Sequence, residues 1–268
     1  MLDFGQKAAE SLKLIRKKKP LIHNITNLVT MNVTANALLA VGASPVMAHA
    51  HNEVEDMLSL SDALVLNLGT LSDDRVFSML KAGKKASQLQ LPVILDPVGS
   101  GSTTFRTASA KNLIEKVNIR VIRANPSEIL SLVNRDSKTR GVDSCHSVDD
   151  ACMAAKKLAK ELNSTLAITG QADLVTDGNR VIRILNGHPL MGCITGSGCM
   201  ATAIIAAFVS VASDVPGAVA SALAFFGLAG EIAGRGAVGP GTFMVKLLDA
   251  LYTITPGDLE KGARYIVP

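Results

Sequence analysis

The sequence predicts an α/β fold, a mostly parallel central sheet with helices on both faces. Three observations carry this. Short apolar runs of strand length alternate with helical segments at least four times, the pattern of parallel strands joined by crossover helices. The run Ala63-Leu64-Val65-Leu66-Asn67 is apolar without a break until its last residue, as a strand covered on both faces requires. The strand-like runs end in polar or glycine-rich positions: Asn67-Leu68-Gly69-Thr70, Asp96, Arg123-Ala124-Asn125 and Thr169-Gly170. In open α/β sheets the ligand sits outside the carboxyl ends of the strands.

Taken in order, Leu12 and Ile15 have helical spacing within a helix from Gly5 to Lys18, which Pro20 stops. Lys13, Arg16, Lys17, Lys18 and Lys19 form its solvated, dipole-favoured end. Leu21-Ile22 is a short strand delivering His23-Asn24-Ile25-Thr26-Asn27, a polar cluster too rich in amides for a plain turn. A helix follows from Met31 to Val41, a short strand at Ser44-Pro45-Val46-Met47 and a helix from Glu53 to Leu60. After the strand at 63–67 come a helix from Asp73 to Leu89 and the strand Pro92-Val93-Ile94-Leu95, ending in Asp96-Pro97-Val98-Gly99. Next are a helix from Ala108 to Val117, the strand Arg120-Val121-Ile122-Arg123 and a helix opening at Asn125. A charge-rich connection (135–150) leads to a helix from Asp150 to Leu162 and the strand Thr165–Thr169. Residues 174–182 form a hairpin on the Asp177-Gly178 turn. Beyond Asn186-Gly187-His188-Pro189 the chain is helical over 199–212, 217–233, 243–252 and 256–264. No repeat, linker or low-complexity tract divides residues 1–268, so one domain is expected.

Composition narrows the function classes. Hydrophobic residues make up 48% of 268, enough for a large core. The net charge of +4, from 27 bases and 23 acids, is mild. With seven Phe, two Tyr and no Trp, a nucleic-acid surface built on stacking is not expected. The uncharged stretch from Val215 to Gly230 opens on Pro216-Gly217 and falls short of the roughly 20 residues of a membrane span, so it reads as a buried helix. No charged-then-apolar signal follows Met1, and a cytoplasmic protein is expected. The four cysteines (145, 152, 193 and 199) lack metal-site spacing and read as reduced thiols. His49-x-His51 reads as two ordinary loop histidines rather than half a metal site.

The stretch with the most chemistry is Ile194-Thr195-Gly196-Ser197-Gly198-Cys199, which runs into a small-residue helix from Met200 to about Val211. Two glycines let the backbone approach a ligand, and a helix opening there aims N–H groups and the positive dipole end into the turn. A phosphoryl group suits it best. A purely structural turn comes second. A dinucleotide site comes last, because Val219 to Ala222 lack the acid expected about 20 residues on. Cys199 stands in the first turn, where a thiolate is favoured. Asp96 ends an apolar strand: either it lies near a cation or phosphate, or it starts a turn before Pro97. Asn125-Pro126-Ser127-Glu128 makes a good helix start on its own. The same residues also suit a magnesium ion reached through water, and spacing leaves both open. Arg123 is a partner for nucleotide phosphates or a surface base, and Thr169 meets a nucleotide or merely ends a strand. Taken together, these groups suggest magnesium-dependent phosphoryl transfer.

The chain resembles the hydroxyethylthiazole kinase family, thiamine-salvage members of the ribokinase-like kinases, over nearly its whole length. The resemblance lies in His23-Asn24-Ile25-Thr26-Asn27, Thr34–Ala40, Gly42–Met47, Asn67-Leu68-Gly69-Thr70-Leu71, Leu95–Gly99, Thr195–Cys199 and Gly239-Pro240-Gly241-Thr242-Phe243. It implies a ribokinase-like three-layer sandwich and ATP- and Mg2+-dependent phosphorylation of the hydroxyl of 4-methyl-5-(2-hydroxyethyl)thiazole. It also implies a homotrimer with active sites between subunits. Carried over residue by residue, it puts Arg123 and Thr169 on ATP, and Asn125 and Glu128 with Asp96 at the magnesium–phosphate end. Met47 and Gly196 would meet the thiazole, with Asn27 and Thr70 as further substrate neighbours; Gly198 shares the phosphate turn. Two positions depart from the pattern: Ser197 stands where Ala or Thr is more usual, and Pro126 follows Asn125. Neither removes a group that the chemistry needs.

Related sugar kinases carry an aspartate base where this chain has Cys199. The helix N-terminus lowers a thiol pKa and incoming phosphates raise it, while a loose transition state needs little early proton removal. Cys199 is therefore expected to position the hydroxyl and assist modestly, with the Gly196–Gly198 amides and magnesium doing most of the stabilising. Two readings compete: a kinase acting on hydroxymethylpyrimidine or pyridoxal, and a non-catalytic nucleotide-binding module. The cysteine and Pro45-Val46-Met47 argue against the first, and Asp96, Glu128 and Cys199 against the second.

Overall fold

The computed structural model describes residues 3–133 and 147–267. Its strands are β1 (Leu21–Ile25), β2 (Ser44–Val46), β3 (Ala63–Asn67), β4 (Val93–Asp96), β5 (Val121–Ala124), β6 (Thr165–Ile168), β7 (Asp173–Thr176), β8 (Val181–Ile184) and β9 (Tyr265–Ile266). They form one nine-stranded sheet in the order β2-β1-β3-β4-β5-β6-β7-β8-β9. Pairing is parallel from β2 to β6 and antiparallel from β6 to β9.

Side-chain alternation explains the unbroken apolar runs. Ala63 and Val65 of β3 enter one core and Leu64 and Leu66 the other. Val121 against Ile122, and Ala167 against Leu166 and Ile168, divide in the same way. Each fully buried leucine or isoleucine contributes about 1.5–3 kcal/mol relative to exposure, so both faces must be covered. One face carries α1 (Phe4–Lys18), α2 (Met31–Val41), α8 (Ser197–Val209), α9 (Val215–Gly234), α10 (Pro240–Thr253) and α11 (Pro256–Gly262). The other carries α3 (Val54–Leu58), α4 (Asp73–Gln88), α5 (Thr104–Lys116), α6 (Pro126–Val133) and α7 (Val148–Leu162). The α/β three-layer arrangement expected from the sequence is therefore present.

Helix α8 is buried from Met200 to Val209, which is why no polar face shows in its sequence. Helix α9 is long and apolar enough to cross a membrane by length and composition, yet 89% of its apolar window is buried inside the fold. It is a core helix.

Three local expectations need correction. Strand β1 runs on to Ile25, so His23 and Asn24 lie inside the sheet, fully buried. They are tolerated there because His23 Nε2 meets the Ala48 carbonyl at 2.9 Å and Asn24 Nδ2 donates to the Ile22 carbonyl at 2.8 Å. Helix α5 begins at Thr104, ahead of Ala108, because the Thr103 hydroxyl caps it by accepting the Arg106 N–H. A 3₁₀ turn spans Pro189–Cys193, and the last helix stops at Gly262 so that Tyr265 and Ile266 can pair with β8. Positions 135–146 of the charge-rich connection, with Cys145, lie outside the described residues.

Candidate active site

The carboxyl ends of β3, β4 and β5 and the loop after β1 meet the N-terminus of α8. Gly196 caps that helix at φ 84°, a left-handed conformation that favours glycine. A Cβ there would also lie 2.9 Å from Thr30 Cγ2 and 3.0 Å from Val33 Cγ2. The first helical hydrogen bond runs from Met200 N–H to Gly196 O at 2.8 Å, so the amides of residues 197–199 are the first-turn donors that a helix leaves without an intrahelical acceptor. Over this end lies Arg123, whose Nη1 would be 2.4 Å from a Cβ on Gly198. Arg123 Nη2 donates to Thr169 Oγ1, and Nη1 stands 3.8 Å from Asp96 Oδ2. A guanidinium and a helix N-terminus at one corner make a strong anion-binding position.

A buried relay of amides and a carboxylate lies beside that corner. Asn27 Nδ2 donates to Asn67 Oδ1 at 2.9 Å, and Asn67 Nδ2 donates to Asp96 Oδ2 at 2.9 Å. Thr202 Oγ1 donates to the same carboxylate oxygen at 2.8 Å. The Nδ2 groups of Asn27 and Asn67 both donate to Cys199 Sγ, each at 3.3 Å. Asn27 is held in turn by the Thr30 amide and hydroxyl, both donating to its Oδ1. Asp96 is 1% exposed, and its Oδ1 is buried without a partner. Burial raises its pKa, opposed by Arg123, Thr202 and Asn67.

The thiolate expected at Cys199 is not favoured. Burial pushes the thiol pKa up, the Asp96 charge adds to the rise, and the bonds from Thr30 and Asn27 only partly oppose it. The helix dipole is outweighed, and Cys199 remains a thiol.

Glu128 and Asn125 form the reciprocal cap that the spacing allowed. Glu128 N–H donates to Asn125 Oδ1 and Asn125 N–H to Glu128 Oε2, both at 2.9 Å. Glu128 Oε1 accepts the Gly99 N–H at 2.8 Å, tying the turn after β4 to α6. Burial and the nearby Asp96 push this carboxyl up to about 7. Thr70 Oγ1 accepts the Leu28 N–H at 3.0 Å, joining the loop after Asn27 to the end of β3. Met47 follows β2 directly and is half-buried, with its carbonyl facing His49.

Contacts thus join Asn27, Asp96, Arg123, Thr169, Gly198 and Cys199; Thr70 and Gly196 adjoin them through Leu28 and Thr30, and Glu128, capped by Asn125, lies close enough to Asp96 for the two charges to interact. Met47 stands apart from the relay. Thr202 and Thr30 belong to the site without having been expected there, and Asn67, expected only as a strand end, is part of its relay. Thr202, three residues past Cys199, shares its helix face. Among the described residues no three His, Cys, Asp or Glu gather as a metal cage. The unpartnered Oδ1 of Asp96 nevertheless suits a hard cation or its water, which prefers oxygen.

The model of the hydroxyethylthiazole kinase family matches residues 12–257. The chain belongs to this family. A hydroxyethylthiazole kinase of Desulfotalea psychrophila is 60% identical over 264 residues, covering 98% of this chain and 97% of that one. One from Thermoanaerobacter pseudethanolicus is 50% identical over 257 residues, covering 95% and 97%. The solved structure of hydroxyethylthiazole kinase from Pyrococcus horikoshii superposes with a TM-score of 0.90 at 42% identity, covering 97% of this chain and 98% of its own. A ribokinase-like superfamily protein of Enterococcus faecalis, 13% identical with a TM-score of 0.66, shares the fold alone. The hydroxyethylthiazole kinase family therefore sits within the ribokinase-like architecture, and this chain with it.

Proposed function

We propose that the chain transfers the γ-phosphoryl group of ATP to the hydroxyl of 4-methyl-5-(2-hydroxyethyl)thiazole, in thiamine salvage. The observation that carries this is the placing of Arg123 on the α8 N-terminus, with the Cys199 thiol in the first turn of the same helix. An anion site and a neutral hydrogen-bonding group are thereby offered to two reactants side by side. Arg123 and Thr169 would hold ATP phosphates, and the 197–199 amides would receive the charge that grows on the moving phosphoryl group. Asp96 and Glu128, with Asn125, would hold Mg2+, which supplies charge neutralisation at the phosphates. Met47, Asn27, Thr70 and Gly196 would face the thiazole alcohol. The alcohol oxygen bonds to phosphorus as the bond to the ADP oxygen breaks, and the hydroxyl proton passes late to an oxygen of the transferred phosphoryl group. A thiol held neutral by burial suits orientation of that hydroxyl better than early removal of its proton.

We take residues 1–268 as one kinase domain, which the single sheet supports. A homotrimer with sites between subunits is part of the same proposal. Leu28 and Val29, directly after Asn27, are 66% and 65% exposed, which suits a site completed by a neighbouring subunit. A cytoplasmic setting suits the free thiols of Cys152, Cys193 and Cys199.

ADP release with Mg-ATP tests the proposal, run with the thiazole alcohol, with hydroxymethylpyrimidine and with no acceptor. Release only with the thiazole is the expected result. Release with the pyrimidine instead would overturn the substrate, and ATP binding without any release would leave a nucleotide-binding module. Cys199→Ser should keep measurable turnover, with kcat lowered about ten- to a hundredfold. Complete loss in a folded variant that still binds ATP would make the thiol indispensable and contradict the orienting role.

A further inference from the structure

We infer that His49 is a positioning residue for the acceptor alcohol, its ring bridging the two segments that carry Met47 and Asn27. The inference rests on the proposed placing of the alcohol beside those residues. His49 Nδ1 lies 2.6 Å from the Met47 carbonyl oxygen, and Nε2 lies 3.0 Å from the Thr26 carbonyl oxygen. Carbonyl oxygens only accept, and a neutral imidazole donates from one nitrogen alone. Both contacts are hydrogen bonds only when the ring carries a proton on each nitrogen. A neutral ring would set two lone pairs against each other at one end.

The backbone explains why a side chain is needed here. Strands β1 and β2 are paired only as far as His23 and Val46. Thr26 and Met47 lie past the last rung, where no ladder fixes their separation, and His49 spans that opening. Thr26 O also accepts from Arg75 Nη1, so its two lone pairs meet donors from two different elements. The residue after Thr26 is Asn27, whose amide reaches both Asn67 and Cys199. A shift of the Thr26 carbonyl would carry Asn27, and with it the sulfur's hydrogen-bond partner. The groups facing this corner are His23 from β1, Arg75 from α4 and Glu53 at the start of α3. His23 is kept neutral by burial, so it adds no second ring charge. His51 makes no such bridge; its ring meets Phe77 edge-on at 5.9 Å.

The test combines kinetics with nitrogen-15 NMR of the ring. In the wild-type protein both ring nitrogens of His49 should report hydrogen bonds. His49→Gln and His49→Phe should raise the KM for the thiazole alcohol about tenfold and about a hundredfold. The KM for ATP should stay within about twofold and kcat within about threefold. Three results would each overturn the inference: a His49 ring whose two nitrogens do not both hydrogen-bond, an unchanged alcohol KM in folded His49→Phe, or equal rises in both KM values. Should the wild type not use the thiazole alcohol, the proposed function fails, and with it the kinetic arm. The NMR arm then decides whether the bridge itself stands.

Discussion

Replacing Asp96 by asparagine is expected to lower kcat by about a thousandfold or more while leaving thermal stability unchanged or slightly improved. The two effects have different causes and can be read separately. Among the described residues Asp96 is the one carboxylate in direct contact with the relay. Its Oδ2 accepts from Asn67 and Thr202 and faces Arg123, while Oδ1 is buried without a partner. Asparagine keeps the shape and one acceptor oxygen. It removes the charge that would hold a cation at the phosphates and that restrains the Arg123 guanidinium. Stability should not suffer, because the raised pKa of Asp96 means that the ionised form is disfavoured in the fold. A carboxyl whose pKa is raised on folding costs stability as pH climbs above its unfolded value. Asparagine has no such cost, so the melting midpoint above about pH 5 should match or exceed that of the parent. Steady-state kinetics at saturating ATP and alcohol, with calorimetry on the same samples, checks both halves. A kcat within about tenfold of the parent would remove Asp96 from the reacting centre.

The parts of this site that can be read in the sequence are those set by local rules. An apolar run ending in Asp96 declares a strand and its carboxyl end; Gly196 and Gly198 before a small-residue helix declare an approachable N-terminus. Asn125 and Glu128 declare a cap, and the structure has it. What cannot be read depends on partners far along the chain. Asn27 and Asn67 reach Cys199 across 172 and 132 residues, and Thr202 reaches Asp96 across 106. The state of the thiol escapes the sequence for that reason: the helix dipole is visible locally, whereas burial and the Asp96 charge come from the assembled fold. His23 and Asn24 do not read as strand residues on the same ground, since the polar partner that lets His23 be buried is the distant Ala48 carbonyl. Strand β9, with two residues, has too short a pattern for any period to show.

Gly198→Ala should lower kcat/KM for ATP by about a hundredfold with little change in stability. The added Cβ would stand 2.4 Å from Arg123 Nη1 and 3.0 Å from both Cζ and Nη2. Helix geometry itself accepts alanine, and the loss of glycine's backbone freedom gains about 0.5–1 kcal/mol. The clash therefore falls on the guanidinium, which has little room to yield. Its Nη2 is bonded to Thr169, its side chain is only 13% exposed, and its Nε is buried without a partner. Arg123 must leave the α8 N-terminus, and the phosphate corner loses its guanidinium charge while keeping its fixed amides. Arg123→Ala should weaken ATP use by a similar factor through direct removal of that charge. In the double variant the truncated side chain at position 123 leaves nothing for the Cβ to displace. Adding Gly198→Ala to Arg123→Ala should therefore cost less than about threefold more. Full additivity in this cycle would mean that Gly198 acts through the amides alone, and that the guanidinium and the helix end are not one anion site.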